Sequence, residues 1–266
     1  MSNISPSCNI HLIVTCTRRK TVAAGDAIFP DERDVDRAYG IWLERLTKAR
    51  SALNQMTAGE LYTGQHWKRA AAAAARNGAE MWVISAGLGL LHASDPVVPY
   101  EATFSTMPFC HRTHWERLTT RPPSERRCTS LRALMQARPH DRFVVAASPV
   151  YLRAVEADLL AGRDALRTPE QLQVVTSKGY QGSLKDSVRY TNADMMKELN
   201  TNMTGLNVSY ALQFIGYEKL NSSTAVQQVR YMHDPAAQCH APARGDLPGQ
   251  RRYQRPDRSR AGRGYR

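Results

Sequence analysis

Residues 10–20 read Ile-His-Leu-Ile-Val-Thr-Cys-Thr-Arg-Arg-Lys, a short apolar run that stops abruptly at three cations. A run of this length, rich in Val and Ile and closed by small polar residues, is the signature of a strand buried on both faces. Three further runs repeat it, at Met81–Ser85, Arg142–Ala147 and Leu172–Thr176. Helical patterns lie between them. Asp36–Leu53 places Ala38, Ile41, Trp42, Leu46 and Ala49 near one face; Gln65–Arg76 is alanine-rich, with Asn77-Gly78 as a left-handed stop. Pro149–Leu160 follows the third run directly. Two more helices are expected over 192–202 and 206–220. Strand alternating with helix predicts a three-layer, Rossmann-like α/β sheet of about four parallel strands flanked by helices.

Composition bounds the rest. A chain of 266 residues that is 42% hydrophobic can bury roughly 70–75% of its unfolded surface, which excludes a wholly disordered protein. No stretch reaches the roughly 18–20 unbroken apolar residues of a membrane span, and Met1–Ser7 lacks signal-peptide features. The expectation is a cytoplasmic protein with no membrane contact. The five cysteines show no C-x-x-C pairing, which argues against a disulfide framework. Cys110, His111, His114 and Cys128 match no standard zinc spacing, so no metal is expected.

Charge is unevenly placed. From Arg244 to Arg266 there are eight arginines against two aspartates, half of the formal net charge of +12. Prolines and glycines interrupt this stretch, and almost nothing in it is aliphatic. The expected organisation is one α/β catalytic domain over 1–240 and a disordered basic tail over 241–266. Arginine-rich arms attract phosphate backbones by counterion release, and the remaining body is basic too. Nucleic acid is therefore the expected partner class, with a solubilising tail as the plainer alternative.

In open α/β sheets, ligands sit beyond the carboxyl ends of the strands. The first exit, Cys16-Thr17-Arg18-Arg19-Lys20, offers two forked guanidiniums and a mobile ammonium to phosphate oxygens. Its alternative is a solvated loop with an inert strand-end thiol. The second exit carries Gly87-Leu88-Gly89, where close backbone approach to a flat ligand is possible. It fails the dinucleotide fingerprint, because His92 occupies the third glycine position, and no P-loop lysine motif occurs anywhere. Beyond it, a proline-stiffened loop holds Asp95, Tyr100 and Glu101; Asp95 could equally cap a turn. Tyr62, in Leu61-Tyr62-Thr63-Gly64 before a helix, is a candidate to cover a base or a core residue. His66 and Trp67 read as surface and packing residues. Ser148 and Tyr151 open the helix after the third exit, and Ser177 and Lys178 form the fourth. Tyr180, Arg189 and Tyr190 interleave rings and cations there, a pattern suited to unpaired nucleotides.

In order, the Cys-Thr exit with Lys20, Leu61-Tyr62-Thr63-Gly64, Ile84-Ser85-Ala86-Gly87-Leu88-Gly89-Leu90-Leu91, Asp95 and Pro99-Tyr100-Glu101 resemble a group of small bacterial and phage proteins. That group has a Rossmann-like core of uracil-DNA-glycosylase type. More distantly, the chain is similar to the domain attached to archaeosine synthase and to peroxide-stress DNA-binding proteins. The likeness covers mainly residues 10–105, with the Ser148–Tyr151 and Ser177–Gly179 exits. The nearest activity it implies is that of bacteriophage-restricting DNA glycosylases, which remove glucosylated hydroxymethylcytosine from phage DNA and leave abasic sites. The chain has neither the Gly-Gln-Asp-Pro-Tyr nor the His-Pro-Ser segment of the well-known uracil glycosylases. The resemblance therefore carries over only Asp95 and Glu101 as candidate catalytic acids.

Such chemistry builds cationic character on the deoxyribose and negative charge on the departing base, so an acid and nearby amides suit it. A target within a duplex must first be flipped out. The reaction needs water but no cofactor. Three alternatives stay open: a base-exchange enzyme of the deazaguanine type, a non-catalytic DNA-binding stress protein, and a small-nucleotide hydrolase or transferase.

Overall fold

A computed structural model describes residues 8–52 and 55–215. They fall within one unit, Met1–Ser222; the second, Ser223–Arg266, lies outside the described residues, and so does the basic tail expected over 241–266. The chain runs β1 (Ile10–Thr15), α1 (Val35–Ala52), β2 (Met56–Thr57), α2 (Ala58–Leu61), α3 (Gln65–Asn77), β3 (Glu80–Ser85), β4 (Gly89–His92) and β5 (Pro96–Val97). It continues through α4 (His111–Thr120), α5 (Leu131–Ala137), β6 (Arg142–Ala146), α6 (Pro149–Arg163), β7 (Leu172–Ser177), β8 (Val188–Thr191) and α7 (Met195–Glu198), then a helix over 206–215, here α8.

The four apolar runs are the four central strands. They form a six-stranded sheet in the order β4-β3-β1-β6-β7-β8. β3, β1, β6, β7 and β8 are parallel, and β4 alone runs antiparallel, folded back on β3. The fold is therefore α/β, as the alternation predicts, with two strands more than expected. β4 is the unforeseen one on the left edge: Gly89-Leu-Leu-His92 pairs Ser85 with Gly89 and Trp82 with His92, turning an expected open exit into a tight hairpin. On the right edge, β8 has only its two end residues buried, a pattern with neither strict alternation nor a continuous apolar run.

The helices behave as their stop signals require. α3 ends at Gly78 with φ +64°, the left-handed conformation that relieves a helix end without a Cβ penalty. α6 begins with Pro149 in its first turn, where the missing N–H costs nothing. The expected helix over 192–202 shrinks to the single turn of α7. α4 and α5 were not expected. Each is short and each packs against α6; the buried residues are His114, Trp115 and Leu118 in α4, and Leu131, Leu134 and Met135 in α5.

The core wraps the sheet without interruption and includes Leu12, Ile13 and Val14 of β1, all fully buried. The polar exception in β1 is His11, also fully buried. Its Nε2 lies 3.0 Å from Asp141 Oδ2, Trp82 Nε1–H donates to its Nδ1 at 3.1 Å, and Phe143 stacks on the ring at 4.7 Å. A buried polar group so partnered escapes the cost of lost solvation. It locks the amino end of the sheet. Among the described residues no helix is long and apolar enough to cross a membrane.

Candidate functional site

β1 sits between β3 and β6. The chain leaves β1 to build one side of the sheet and returns to β6 on the other, so the two exits diverge. This is the switch point at which open α/β sheets form their crevice. A cavity of about 700 Å³ occupies it. Its walls are the β1 exit (residues 15–19), the head of α3 (63–66, with Arg69), the β6 exit (146–148) and the segment 201–209, excepting residue 206. No Asp or Glu is among the described residues that line it.

The β1 exit is rigid below and free above. Thr17 is buried and donates through Oγ1 to the Arg19 carbonyl, which also accepts Thr63 N–H at 3.1 Å. With the backbone pinned, Arg18 and Arg19 project as exposed side chains. No hydrogen bond or ion pair engages either guanidinium among the described residues, so both keep their donors for a ligand. Two helix heads face the same space. α3 starts at Gly64 and α6 at Ser148, and neither N-cap residue gives a side-chain cap to its helix. Uncapped amides and the positive end of each helix dipole add to the favourable field for an anion.

The opposite wall is held by two side chains. Arg69 reaches from α3 to Ser209 Oγ at 2.7 Å, Leu199 O at 3.4 Å and Asn200 O at 3.0 Å. Asn207 donates through Nδ2 to Ala147 O at 3.0 Å and accepts from Thr191 Oγ1–H at 2.7 Å. His66 also lines the cavity, and burial lowers its imidazole below the ordinary histidine range, favouring the neutral ring.

Behind the first exit lies a buried hydroxyl chain. Tyr62 Oη and Tyr100 Oη are 2.6 Å apart, and Tyr100 Oη is 2.5 Å from Ser85 Oγ, which accepts the N–H groups of Gly87 and Leu88. Cys16 Sγ lies 3.3 Å from Tyr151 Oη. Burial pushes the phenols of Tyr62, Tyr100 and Tyr151 above the usual tyrosine range, so all three stay protonated. Lys20 Nζ sits 4.8 Å over the Tyr100 ring, donates to Thr17 O at 3.2 Å and pairs with Glu101 Oε2 at 3.4 Å. The Lys20 side chain is 5% exposed and that of Glu101 40%. Tyr62 and Tyr100 are thus supports behind the wall, and neither ring is free to stack on a base.

Several expected site residues belong to the fold instead. Asp95 is 3% exposed and takes His92 N–H on Oδ2 at 2.8 Å, while its own N–H bonds back to His92 O at 2.9 Å. It closes the turn after β4, level with Trp82 near the amino end of β3, and does not line the cavity. The turn-capping alternative is what the geometry realises. Gly87 accepts Trp42 Nε1–H at 2.7 Å, and a Cβ there would lie 2.8 Å from Ala102 Cβ and 2.9 Å from the Tyr100 ring. Gly89 has φ +81°, with Arg126 Nη1 2.8 Å from a Cβ position. Both glycines serve close packing and a turn, and neither lines the cavity. Ser177 and Lys178 sit at the β7 exit outside the cavity lining, and Tyr180 is fully buried.

The structure therefore brings together Cys16, Arg18, Arg19 and Ser148 in the cavity, with Lys20, Glu101, Tyr62, Tyr100 and Tyr151 behind it. His66, Arg69, Asn207 and Ser209 were missed as site residues. Gly64, which uncaps α3, was the legible signal for His66 and Arg69, one turn on. Nothing in the local pattern of 201–209 points to the β1 exit. Among the described residues no three His, Cys, Asp or Glu side chains gather as a metal site.

No curated protein and no solved structure matches the chain. A family model described as a family of unknown function (DUF6884) matches residues 47–176. That span carries the α3 and α6 walls of the cavity and the Tyr62–Tyr100–Ser85 chain, but not the β1 exit or the 201–209 wall.

Proposed function

We propose that the cavity seats a phosphate-bearing nucleotide unit of DNA, and that the protein is a DNA N-glycosylase with a uracil-DNA-glycosylase-like core. The observation that carries the proposal is the pair of unpartnered arginines, Arg18 and Arg19, in a switch-point cavity whose described lining holds no carboxylate. An anion entering there meets guanidinium forks, two uncapped helix heads and hydroxyls, and no carboxylate among the described lining residues. Each hydrogen bond to a charged group is worth about 1.5–3 kcal/mol, and the overall basic charge favours a polyanion over a small solute.

The reaction rests on the sequence resemblance, which implies release of a glucosylated hydroxymethylcytosine from phage DNA and hence a role in phage defence. Guanidiniums and main-chain amides around the cavity suit the negative charge that develops on a departing base. With the Asp95 carboxylate committed to its turn, this reading assigns the remaining acid role to Glu101, held beside Thr17 by Lys20. A target in duplex DNA is flipped to reach a recess of this kind.

The test is incubation of the full chain with genomic DNA of different cytosine modifications, with abasic sites and free bases measured by mass spectrometry. Release of one base from one DNA, lost in Arg18→Glu/Arg19→Glu and in Glu101→Gln, is the expected result. Binding without release from any DNA would overturn the enzymatic part. The second reading, a DNA-binding protein without catalysis, would then stand; the absence of Asp and Glu from the described cavity lining favours it.

A further inference from the structure

A second surface adjoins the cavity on the β6–β7 side. Ser148 lines the cavity, and the next residue, Pro149, lies under the β7 exit loop, its Cγ 3.5 Å from where a Cβ on Gly179 would be. Arg153, one turn along α6, donates to Gly179 O at 3.2 Å. Lys178 precedes Gly179 and is exposed, with no hydrogen bond or ion pair among the described residues. Tyr180 follows, buried, and its carbonyl accepts the Tyr190 hydroxyl at 3.1 Å. That bond ties Tyr190, 37% exposed, to the same loop. The rim thus passes from the cavity mouth across Arg153 and Lys178 to an exposed, tethered aromatic ring on the edge strand β8.

Two acids, Glu156 and Asp186, stand in this stretch against four exposed cations, Arg153, Lys178, Lys185 and Arg189. Glu156 accepts the Tyr180 hydroxyl and the Ser183 N–H, both at 2.9 Å. Asp186 lies beside Lys185 in the turn before β8, with exposed Arg189 just beyond it. Cations alternating with an aromatic platform suit unpaired nucleotides, because every base offers a π-face that a duplex keeps stacked internally.

We infer that Arg153, Lys178 and Tyr190 form a track for single-stranded DNA, along which the strand flanking the seated nucleotide leaves the cavity. The inference rests on the proposed nucleotide-binding function and deepens it. Lys178 and Arg153 would each hold a backbone phosphate, and Tyr190 would carry a base.

The experiment measures binding of the full chain to a labelled thymidine oligonucleotide of about twelve nucleotides, to the same sequence as duplex, and to thymidine monophosphate. Tyr190→Ala is expected to weaken single-strand binding about 5- to 150-fold. Tyr190→Phe, which loses only the bond to Tyr180 O, is expected to stay within about twofold of wild type. Lys178→Ala/Arg153→Ala is expected to lower the slope of log K against log salt by about 1.4, from about 0.7 per phosphate. All three variants should bind the monophosphate as wild type does. Unchanged oligonucleotide affinity and salt slope in the rim variants would overturn the track, while monophosphate binding would still uphold the cavity. Equal losses for Tyr190→Ala and Tyr190→Phe, or losses confined to the duplex, would also overturn it. Failure of the wild type to bind the monophosphate would instead overturn the cavity reading itself.

Discussion

The β3–β4 hairpin and the paired exits of β1 and β6 carry similar raw material, glycines, hydroxyls and charges placed just beyond strands. In the hairpin every such group is consumed. Ser85 Oγ takes two amides, Asp95 takes His92 N–H, and Arg126 spends its guanidinium on the carbonyls of Leu88 and Leu90. At the β1 and β6 exits the backbone is fixed, but the side chains of Arg18, Arg19 and Ser148 are left over. The candidate site differs from the hairpin in unspent hydrogen-bonding capacity and not in the density of polar residues.

The strongest way to break this contrast is charge reversal at the exposed arginines. Arg18→Glu/Arg19→Glu should remove two charge-assisted interactions, on the order of 3 kcal/mol or more of phosphate binding. Folding stability should change by no more than about 0.5 kcal/mol. Calorimetric titration with thymidine monophosphate beside a thermal melt separates the two, and retained binding would place the anion elsewhere.

The hairpin side should respond to pH, because His114 supports it. His114 Nε2–H donates to Ala86 O at 2.8 Å, Nδ1 has no hydrogen-bond partner among the described residues, and the rings of Phe29, Phe104 and Phe109 surround it. Burial depresses its pKa from 6.5 to about 4. Between those values the unfolded chain binds a proton that the folded protein refuses, so stability is present above pH 6.5 and falls as pH drops towards 4. The loss is about 3 kcal/mol in order of magnitude. Burial also lowers His66 and His92, which act in the same direction. Urea midpoints at a series of pH values should show the decline, and His114→Phe should flatten much of it; an unchanged profile in that variant would remove His114 as the cause.

Gly87→Ala sharpens the comparison at smaller scale. The added methyl would press on Ala102 and Tyr100 at under 3 Å, an overpacking cost of about 1–3 kcal/mol read as a lower denaturation midpoint. Monophosphate affinity below that transition should not move. The smallest effect belongs to Asp95→Asn, whose amide oxygen can still accept His92 N–H. About 1 kcal/mol of stability is expected to go, with base release intact. Loss of base release at unchanged stability would return Asp95 to the chemistry.

Much of the sheet was legible because buried strands must be apolar wherever they occur. Ile10–Thr15, Arg142–Ala146 and Leu172–Ser177 are recognisable from composition alone, and Gly78 marks the end of α3 without any knowledge of its neighbours. β4 and β8 were not legible. Four residues give too few alternations to distinguish a strand from a turn, and pairing with β3 or β7 is what makes them strands. α4 was hidden for a related reason: its buried face includes His114, a polar residue that becomes core only when Ala86 supplies an acceptor.

The candidate site divides along the same line. The sequence by itself determined the α/β class, and it pointed to the carboxyl edge, where the cavity lies, and to Arg18 and Arg19 as cations delivered there. Hydrophobic periodicity and strand ends are local properties, written in consecutive residues. Only the tertiary structure decided that Asp95 is spent in a turn, that Lys20 is matched to Glu101 beneath Tyr100, and that Arg69 and Asn207 bring the 201–209 wall to the β1 exit. Whether a polar group remains available depends on which distant atoms reach it first, and the packing of the whole chain settles that.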